Sequence, residues 1–287
     1  MLRECRPNSP DDANFPRVKH IERSPPRSRK RFGQNFLTDR NTIDRIVRAI
    51  GPRVDDHIVE IGPGHGELTG ELLKSGCQLQ VIEIDRDLIA DLRIRFPGLP
   101  ITECDVLKHD FSDMARSARG AGKQLRIVGN LPYNISTPLL FKLFQSLEDI
   151  ADLHFMLQLE VVDRIVAKPS SSNYGRLSVM AQYWCDATKL FAVSAAAFNP
   201  RPKVMSAVVR LVPRVTGPRA HNVALLEKLV TAAFSQRRKT IRNGLRSFLS
   251  AEDLAGLSLD PGLRPENLSV ADFVSCANYV GGRKGDA

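Results

Sequence analysis

Two hydrophobic periods alternate along most of this chain. Short apolar runs rich in β-branched residues predict strands at 57–61, 79–85, near Ile101-Thr102, and at 125–129, 153–159, 184–191 and 206–212. Elsewhere the spacing shifts to three and four. Ile43, Ile46, Val47 and Ile50 predict a helix opening at Thr38-Asp39, either of which suits the cap, and residues 138–144 predict another. Strands separated by helices imply an α/β class: a doubly wound, Rossmann-like sheet with helices on both faces. Residues 212–219 read as a linker, and beyond them the pattern is helical. Val223, Leu226, Leu229, Val230, Ala233 and Phe234 share one face, with further helices expected near 253–257 and 270–279. The expected division is an α/β domain over 29–212 and a small all-α domain over 213–287. Residues 1–28, rich in Pro, Arg and Ser without apolar period, predict a disordered basic tail.

The chemistry gathers where strands end. Residues 57–61 run into Gly62-Pro63-Gly64-His65-Gly66, a glycine turn that lets backbone approach a ligand closely. It lacks the spacing of dinucleotide enzymes, and no Gly-Lys-Ser/Thr follows to hold a triphosphate. The next strand brings an acid, Glu83, 21 residues after Gly62, placed to accept the two hydroxyls of a ribose. Asp105 follows the third strand, placed to accept from an adenine amine. Three strand ends in register point to a nucleoside pocket.

The strand at 125–129 ends in Asn130-Leu131-Pro132-Tyr133. Asn130 offers a carboxamide oxygen, Leu131 a backbone carbonyl, Pro132 a fixed φ and Tyr133 an aromatic face. Two acceptors beside a flat ring suit a planar amine such as that of adenine, whose lone pair is delocalised into the ring. Holding both hydrogens lets the nitrogen pyramidalise and meet an electrophile, which is catalysis by position without a strong base. Asn and Pro are also common turn residues, so the tetrapeptide alone reads equally as a turn.

Charge narrows the partner. The chain of 287 residues carries +9, and residues 1–31 hold +5 of it, leaving +4 for the rest. This suits a polyanion without specifying one. Residues 234–246 hold five cations (Arg237, Arg238, Lys239, Arg242 and Arg246) and no acid. Arg238, Arg242 and Arg246 fall at helical spacing beside Ile241, Leu245, Phe248 and Leu249, a basic ridge suited to phosphates. No apolar stretch approaches the ~20 residues of a membrane helix, no signal-peptide core opens the chain, and a cytoplasmic protein is expected. Five cysteines without a C-x-x-C pair read as reduced thiols. His65-Gly66-Glu67 spells the H-x-E of zinc deaminases, but the required P-C-x-x-C is missing and no metal is expected.

Taken together, Arg31 through Leu37, Val59 through Gly64, Glu83-Ile84-Asp85, Asn130 through Thr137, Phe155 through Gln158, Tyr174 through Ser178, Phe198 through Lys203 and Arg237 through Thr240 closely resemble the bacterial small-subunit (16S) ribosomal RNA adenine dimethyltransferases. The resemblance implies S-adenosylmethionine as methyl donor, with in-line transfer to the adenine nitrogen. Asn35 and Leu37 would bound its methionine end, Gly62 and Gly64 give the close backbone approach, Glu83 take the ribose and Asp105 the adenine. Asn130 would serve both cofactor and target amine, with Leu131 and Pro132 completing the catalytic loop and Tyr133 and Phe198 clasping the base. The implied substrate is two adjacent adenosines in a hairpin loop near the 3′ end of 16S rRNA, within the small subunit or its precursor. The implied role is small-subunit biogenesis, with no membrane partner and a monomer as the default. Three rivals stay open: a related enzyme acting on large-subunit RNA, an assembly factor that mainly binds the immature subunit, and, more distantly, a nicotinamide oxidoreductase.

Overall fold

A computed structural model describes residues 34–236 and 238–283. The tail expected over 1–28, Arg31 to Gly33 of the resemblance, and Arg237 lie outside the described residues. Strand β1 (Phe36–Leu37) leads into helix α1 (Arg40–Ile50). Strand and helix then alternate through β2 (His57–Ile61), α2 (Glu67–Leu73), β3 (Gln78–Glu83), α3 (Arg86–Arg95), β4 (Ile101–Glu103), α4 (Ser112–Gly120), β5 (Leu125–Asn130), α5 (Ser136–Leu143) and β6 (Ile150–Gln158). Helices α6 (Leu159–Ile165) and α7 (Arg176–Trp184) precede β7 (Cys185–Val193), β8 (Phe198–Asn199) and β9 (Ser206–Pro213). The rest is helical: α8 (Val223–Ser235), α9 (Ile241–Gly244), α10 (Ala251–Gly256) and α11 (Val270–Arg283).

Local signals set several boundaries. Asp39 caps α1 by accepting from the Thr42 N–H at 2.8 Å, and Gly51, at φ 58°, ends it in the left-handed region. Asp85 belongs to the start of α3 and not to the preceding strand, because its carboxylate caps the Asp87 N–H at 3.1 Å. That leaves Glu83 as the last residue of β3.

The large sheet runs β4-β3-β2-β5-β6-β9-β7. The first five strands are parallel, and β9 is antiparallel to both neighbours. Each face has its own core. Ile58, Val81, Val128 and Met156 meet Ile43 and Ile46 of α1 and Leu68 and Leu72 of α2. Val59, Ile61, Ile127 and Phe155 meet Leu139, Leu140 and Leu143 of α5 on the other face. Burial on both sides explains why the apolar residues of β2, Ile58, Val59 and Ile61, face both cores and do not alternate with exposed ones. Strand β1 pairs apart from this sheet, antiparallel to β8, with Leu37 opposite Phe198.

A third core joins Leu226, Leu229 and Val230 of α8 to Phe273 and Val274 of α11, and it also takes in Tyr174, Val179, Met180 and Tyr183. The helical part therefore shares its interior with the loop before α7 and with α7 itself, which precede the expected boundary at 212/213. The basic segment also differs from expectation, since it is not one helix. Helix α8 stops at Ser235, and the N–H groups of Ile241 and Arg242 bond instead to the carbonyls of Leu263 and Pro261, at 2.7 and 3.2 Å. Turn and short helix replace the continuous ridge.

At Gly129 the backbone of the neighbouring strand comes so close that an added Cβ would stand 2.5 Å from the Ile61 carbonyl oxygen. Backbone cannot yield as a side-chain tip can. Gly129→Ala is expected to lower stability by about 1–3 kcal/mol, read as a shift in the urea midpoint; an unchanged midpoint would show that the strand ends are not packed as described.

Candidate active site

The carboxyl ends of β2 to β6 surround a cavity of about 250 Å3. It sits where the strand order reverses, between β2 and β5, the position at which open α/β sheets bind ligands. Ten of the residues singled out in the sequence line it: Asn35, Leu37, Gly62, Gly64, Glu83, Asp105, Asn130, Leu131, Pro132 and Tyr133.

Gly62 and Gly64 have φ of 66° and 59°, which L side chains rarely adopt, and a Cβ on Gly64 would meet the Phe36 ring at 2.9 Å. Glycine is therefore favoured at these two positions of the turn. The Phe36 ring also packs on His65, centroid to centroid 4.2 Å, which holds β1 over the turn. Arg95 steadies the other flank by donating to the His65 carbonyl at 2.6 Å and pairing with Glu67 at 2.8 Å.

Glu83 is buried, and its Oε1 accepts from the N–H groups of Ile84 and Asp85 at 2.8 and 2.9 Å. Burial pushes the carboxyl up, while N–H donors of Asp85, Ile84 and Gly64 pull it back. Its orientation at the end of β3 is thus fixed by backbone. Asp105 is held in the same manner, Oδ1 accepting from the Leu107 N–H at 3.0 Å.

Asn130 ends β5 and donates from Nδ2 to the Asn35 carbonyl at 3.0 Å. With one prong of the amide tied to the β1 segment, the other prong is the acceptor Oδ1. The Leu131 N–H bonds to the Met156 carbonyl at 3.2 Å, which seats the loop on β6. Tyr133 is half-buried and shares a 2.9 Å hydrogen bond with the Ser206 hydroxyl, so its ring is braced against β9. Burial pushes its phenol up.

Phe198 is not brought to the cavity. It is 4% exposed and packs in the core with Leu37, Ile43 and Val208, because its pairing with β1 turns it inward. Of the two rings expected to clasp a base, Tyr133 alone lines the cavity, with Phe36 as a further aromatic wall. In the helical part, Arg238, Lys239, Arg242 and Arg246 are all exposed, while Ile241, Leu245 and Leu249 are buried. The segmental break thus keeps the expected separation of basic and apolar sides.

Among the cavity residues that the sequence does not single out are Glu60, His154 and Gly129. The signal for the first two was a polar side chain inside an otherwise apolar strand. His154 lies 3.5 Å from Asp152, whose carboxylate Arg126 grips at 2.9 and 3.1 Å. Burial alone would raise the Asp152 carboxyl, but His154 and Arg126 beside it hold it well below the usual range. Glu60 is 2% exposed and accepts from the Thr69 hydroxyl at 2.6 Å. Burial pushes its carboxyl up to about 7.

The Glu60 shift sets a pH dependence. Unfolded, the carboxyl releases its proton near 4.5, whereas folded it keeps the proton to about 7. The folded state therefore binds more protons between these values, and stability falls as pH rises through that window. Glu60→Gln should be the more stable protein at pH 8 by up to roughly 3 kcal/mol, with no such gain at pH 4. Urea unfolding at both values checks this, and equal differences at the two would contradict it.

A family model described as ribosomal RNA adenine dimethylase matches residues 26–281. The Ribosomal RNA small subunit methyltransferase A of Chromohalobacter salexigens is 54% identical over 257 residues, spanning 88% of this chain and 91% of that protein. The protein of the same name from Pseudomonas aeruginosa is 52% identical over 259 residues, 88% of this chain and 95% of its own. Among solved structures, a dimethyladenosine transferase from Plasmodium falciparum is 26% identical, with a TM-score of 0.72 over 87% of this chain and 98% of that one. The 23S rRNA methyltransferase ErmE is 25% identical, with a TM-score of 0.64 over 85% and 100%. The Rossmann-like class and the resemblance read from the motifs are both borne out. Matched by the family model over most of its length and by relatives sharing over half of the aligned residues, the chain belongs to the ribosomal RNA adenine dimethylase family.

Proposed function

We propose that this protein uses S-adenosylmethionine to dimethylate the exocyclic amines of two adjacent adenosines in a hairpin loop near the 3′ end of 16S rRNA, a step in small-subunit biogenesis. The observation that carries this reading is the Asn130 carboxamide, fixed at the cavity by the Asn35 carbonyl and set beside the Tyr133 ring.

The cavity residues fit the cofactor. Gly62 and Gly64 form a cradle that a Cβ would strain, Glu83 presents a backbone-oriented carboxylate for a ribose, and Asp105 gives an acceptor for an adenine amine. Asn35 and Leu37 bound the methionine end. When bound, S-adenosylmethionine supplies an electrophilic methyl group on a sulfonium.

The chain's own part is positional. Asn130 Oδ1 and the Leu131 carbonyl accept the two hydrogens of the target amine, while Pro132 keeps the loop rigid and Tyr133 stacks on the base. Held this way, the nitrogen lone pair is drawn out of conjugation and aimed at the methyl group, and the amine proton leaves to solvent. No strong base is needed. A base presented to such a pocket is one splayed out of a single-stranded loop.

The substrate is ribosomal RNA, and the names of relatives at 52–54% identity support the small subunit, whereas the large-subunit enzyme is less similar at 25%. Arg237, Arg238, Lys239, Arg242 and Arg246 contact RNA phosphates; the four described members are exposed and make no ion pair with a described residue. The functional division is a basic tail over 1–28, a catalytic unit over 29–212 and an RNA-contacting helical unit over 213–287, which share the interior around α7. The protein acts as a monomer in the cytoplasm; no helix among the described residues is long and apolar enough to cross a membrane.

Asn130→Ala is expected to reduce methyl transfer by at least about 100-fold while the melting midpoint stays near wild type. Appreciable turnover by the folded variant would remove Asn130 from the mechanism. Glu83→Ala should weaken cofactor binding roughly tenfold or more by calorimetry, and an unchanged affinity would refute the ribose assignment.

A further inference from the structure

Residues 200–205 join β8 to β9 and stand immediately outside the cavity. Strand β9 is antiparallel to β6, so its first residue, Ser206, lies opposite Gln158 at the carboxyl end of β6, the same edge of the sheet that forms the site. The Ser206 hydroxyl is bonded to Tyr133 at 2.9 Å, and the Met205 carbonyl accepts from the Leu159 N–H at 2.9 Å. The loop is therefore fixed at both the catalytic tyrosine and the start of α6. Pro200 and Pro202 stiffen it further.

Its surface is unusual for a short loop. Val204 and Met205 are 45% and 46% exposed, and among the described residues they are the only consecutive pair of exposed large hydrophobics. Arg201 and Lys203 beside them are exposed and make no hydrogen bond or ion pair with a described residue. No acid occurs between Phe198 and Ser206. An apolar step preceded by two cations without a described protein partner matches the chemistry of unpaired nucleic acid, which offers a flat base face beside a charged backbone. A membrane or an acidic protein segment would engage the cations but would not require a stiff step next to Tyr133.

We propose that Arg201 to Met205 form the seat for the nucleotide next to the target adenosine. The neighbouring base lies on Val204 and Met205, and the flanking phosphates meet Arg201 and Lys203. The seat holds the strand in register while the target base enters the cavity against Tyr133. Because the loop does not line the cavity, it acts on RNA and leaves cofactor binding alone. This inference rests on the proposed function and deepens it by assigning a specificity surface for the unpaired strand.

The test uses the full chain, small ribosomal subunits lacking the modification, and two double variants, Val204→Ser with Met205→Ser and Arg201→Ala with Lys203→Ala. The apolar variant is expected to raise KM for subunits roughly tenfold with kcat within about twofold, and with calorimetric cofactor affinity unchanged. The charge variant should also reduce the slope of log affinity against log salt by about 1 to 2. An unchanged KM and salt slope, with active wild-type protein, would overturn the seat alone. A loss of cofactor affinity in either variant would overturn it too, by placing the loop on the cofactor side. Absence of transfer by the wild-type chain would overturn the proposed function and the seat with it.

Discussion

Everything at the site depends on how closely the ends of β2 and β5 approach. Gly129 has no room for a side chain against the Ile61 carbonyl, and an added Cβ on Gly62 would lie 3.9 Å from the Asn130 carbonyl oxygen. This contact sets the glycine turn and the Asn-Leu-Pro-Tyr loop side by side across the point where strand order reverses. One turn suits a nucleoside-bearing cofactor and the other a planar amine. A separation larger by one side chain would leave two binding surfaces with no shared reaction centre, because positional catalysis weakens steeply with misplacement on the scale of about 1 Å.

A second constraint reaches the site from both ends of the catalytic unit. The pair of short strands formed by Phe36–Leu37 and Phe198–Asn199 lies apart from the main sheet. Through it, Phe36 bears on His65 and the adjacent Asn35 carbonyl takes the Asn130 amide hydrogen. The orientation of the Asn130 carboxamide is thus tied to the segment that lies over the glycine turn. Arg126 of β5 grips the Asp152 carboxylate of β6 at 2.9 and 3.1 Å, a largely buried ion pair that ties the two strands together.

Most of this was legible in the sequence. Strand 57–61 is legible to the residue because a β-branched run ending in glycine has few alternative readings, and Glu83 is legible from its distance to Gly62 although its strand reads two residues too long, to Asp85. Asn130 was legible from the chemistry that an amide and a proline bring to a strand end. What was not legible depended on distant pairing. Phe198 reads as a free ring until its partner in β1 turns it into the core. The basic segment reads as one helix until the 261–263 carbonyls capture its N–H groups. Helices α3, α4, α6 and α7 are not among the elements the sequence predicts, and α7 carries its interior across a boundary drawn from composition. Glu60 and His154 are not legible as cavity residues, because an isolated polar residue within an apolar strand more often marks a satisfied core position than a cavity wall.

The proposed methyl transfer requires the Asn130 loop and the glycine turn to act together on an adenosine of small-subunit RNA. The most direct measurement is transfer of an isotope-labelled methyl group from S-adenosylmethionine to small subunits lacking the modification, followed by mass analysis of the RNA digest. Dimethyladenosine at two adjacent positions near the 3′ end is the predicted result. A folded protein that binds cofactor and subunit but leaves those adenosines unlabelled would contradict it.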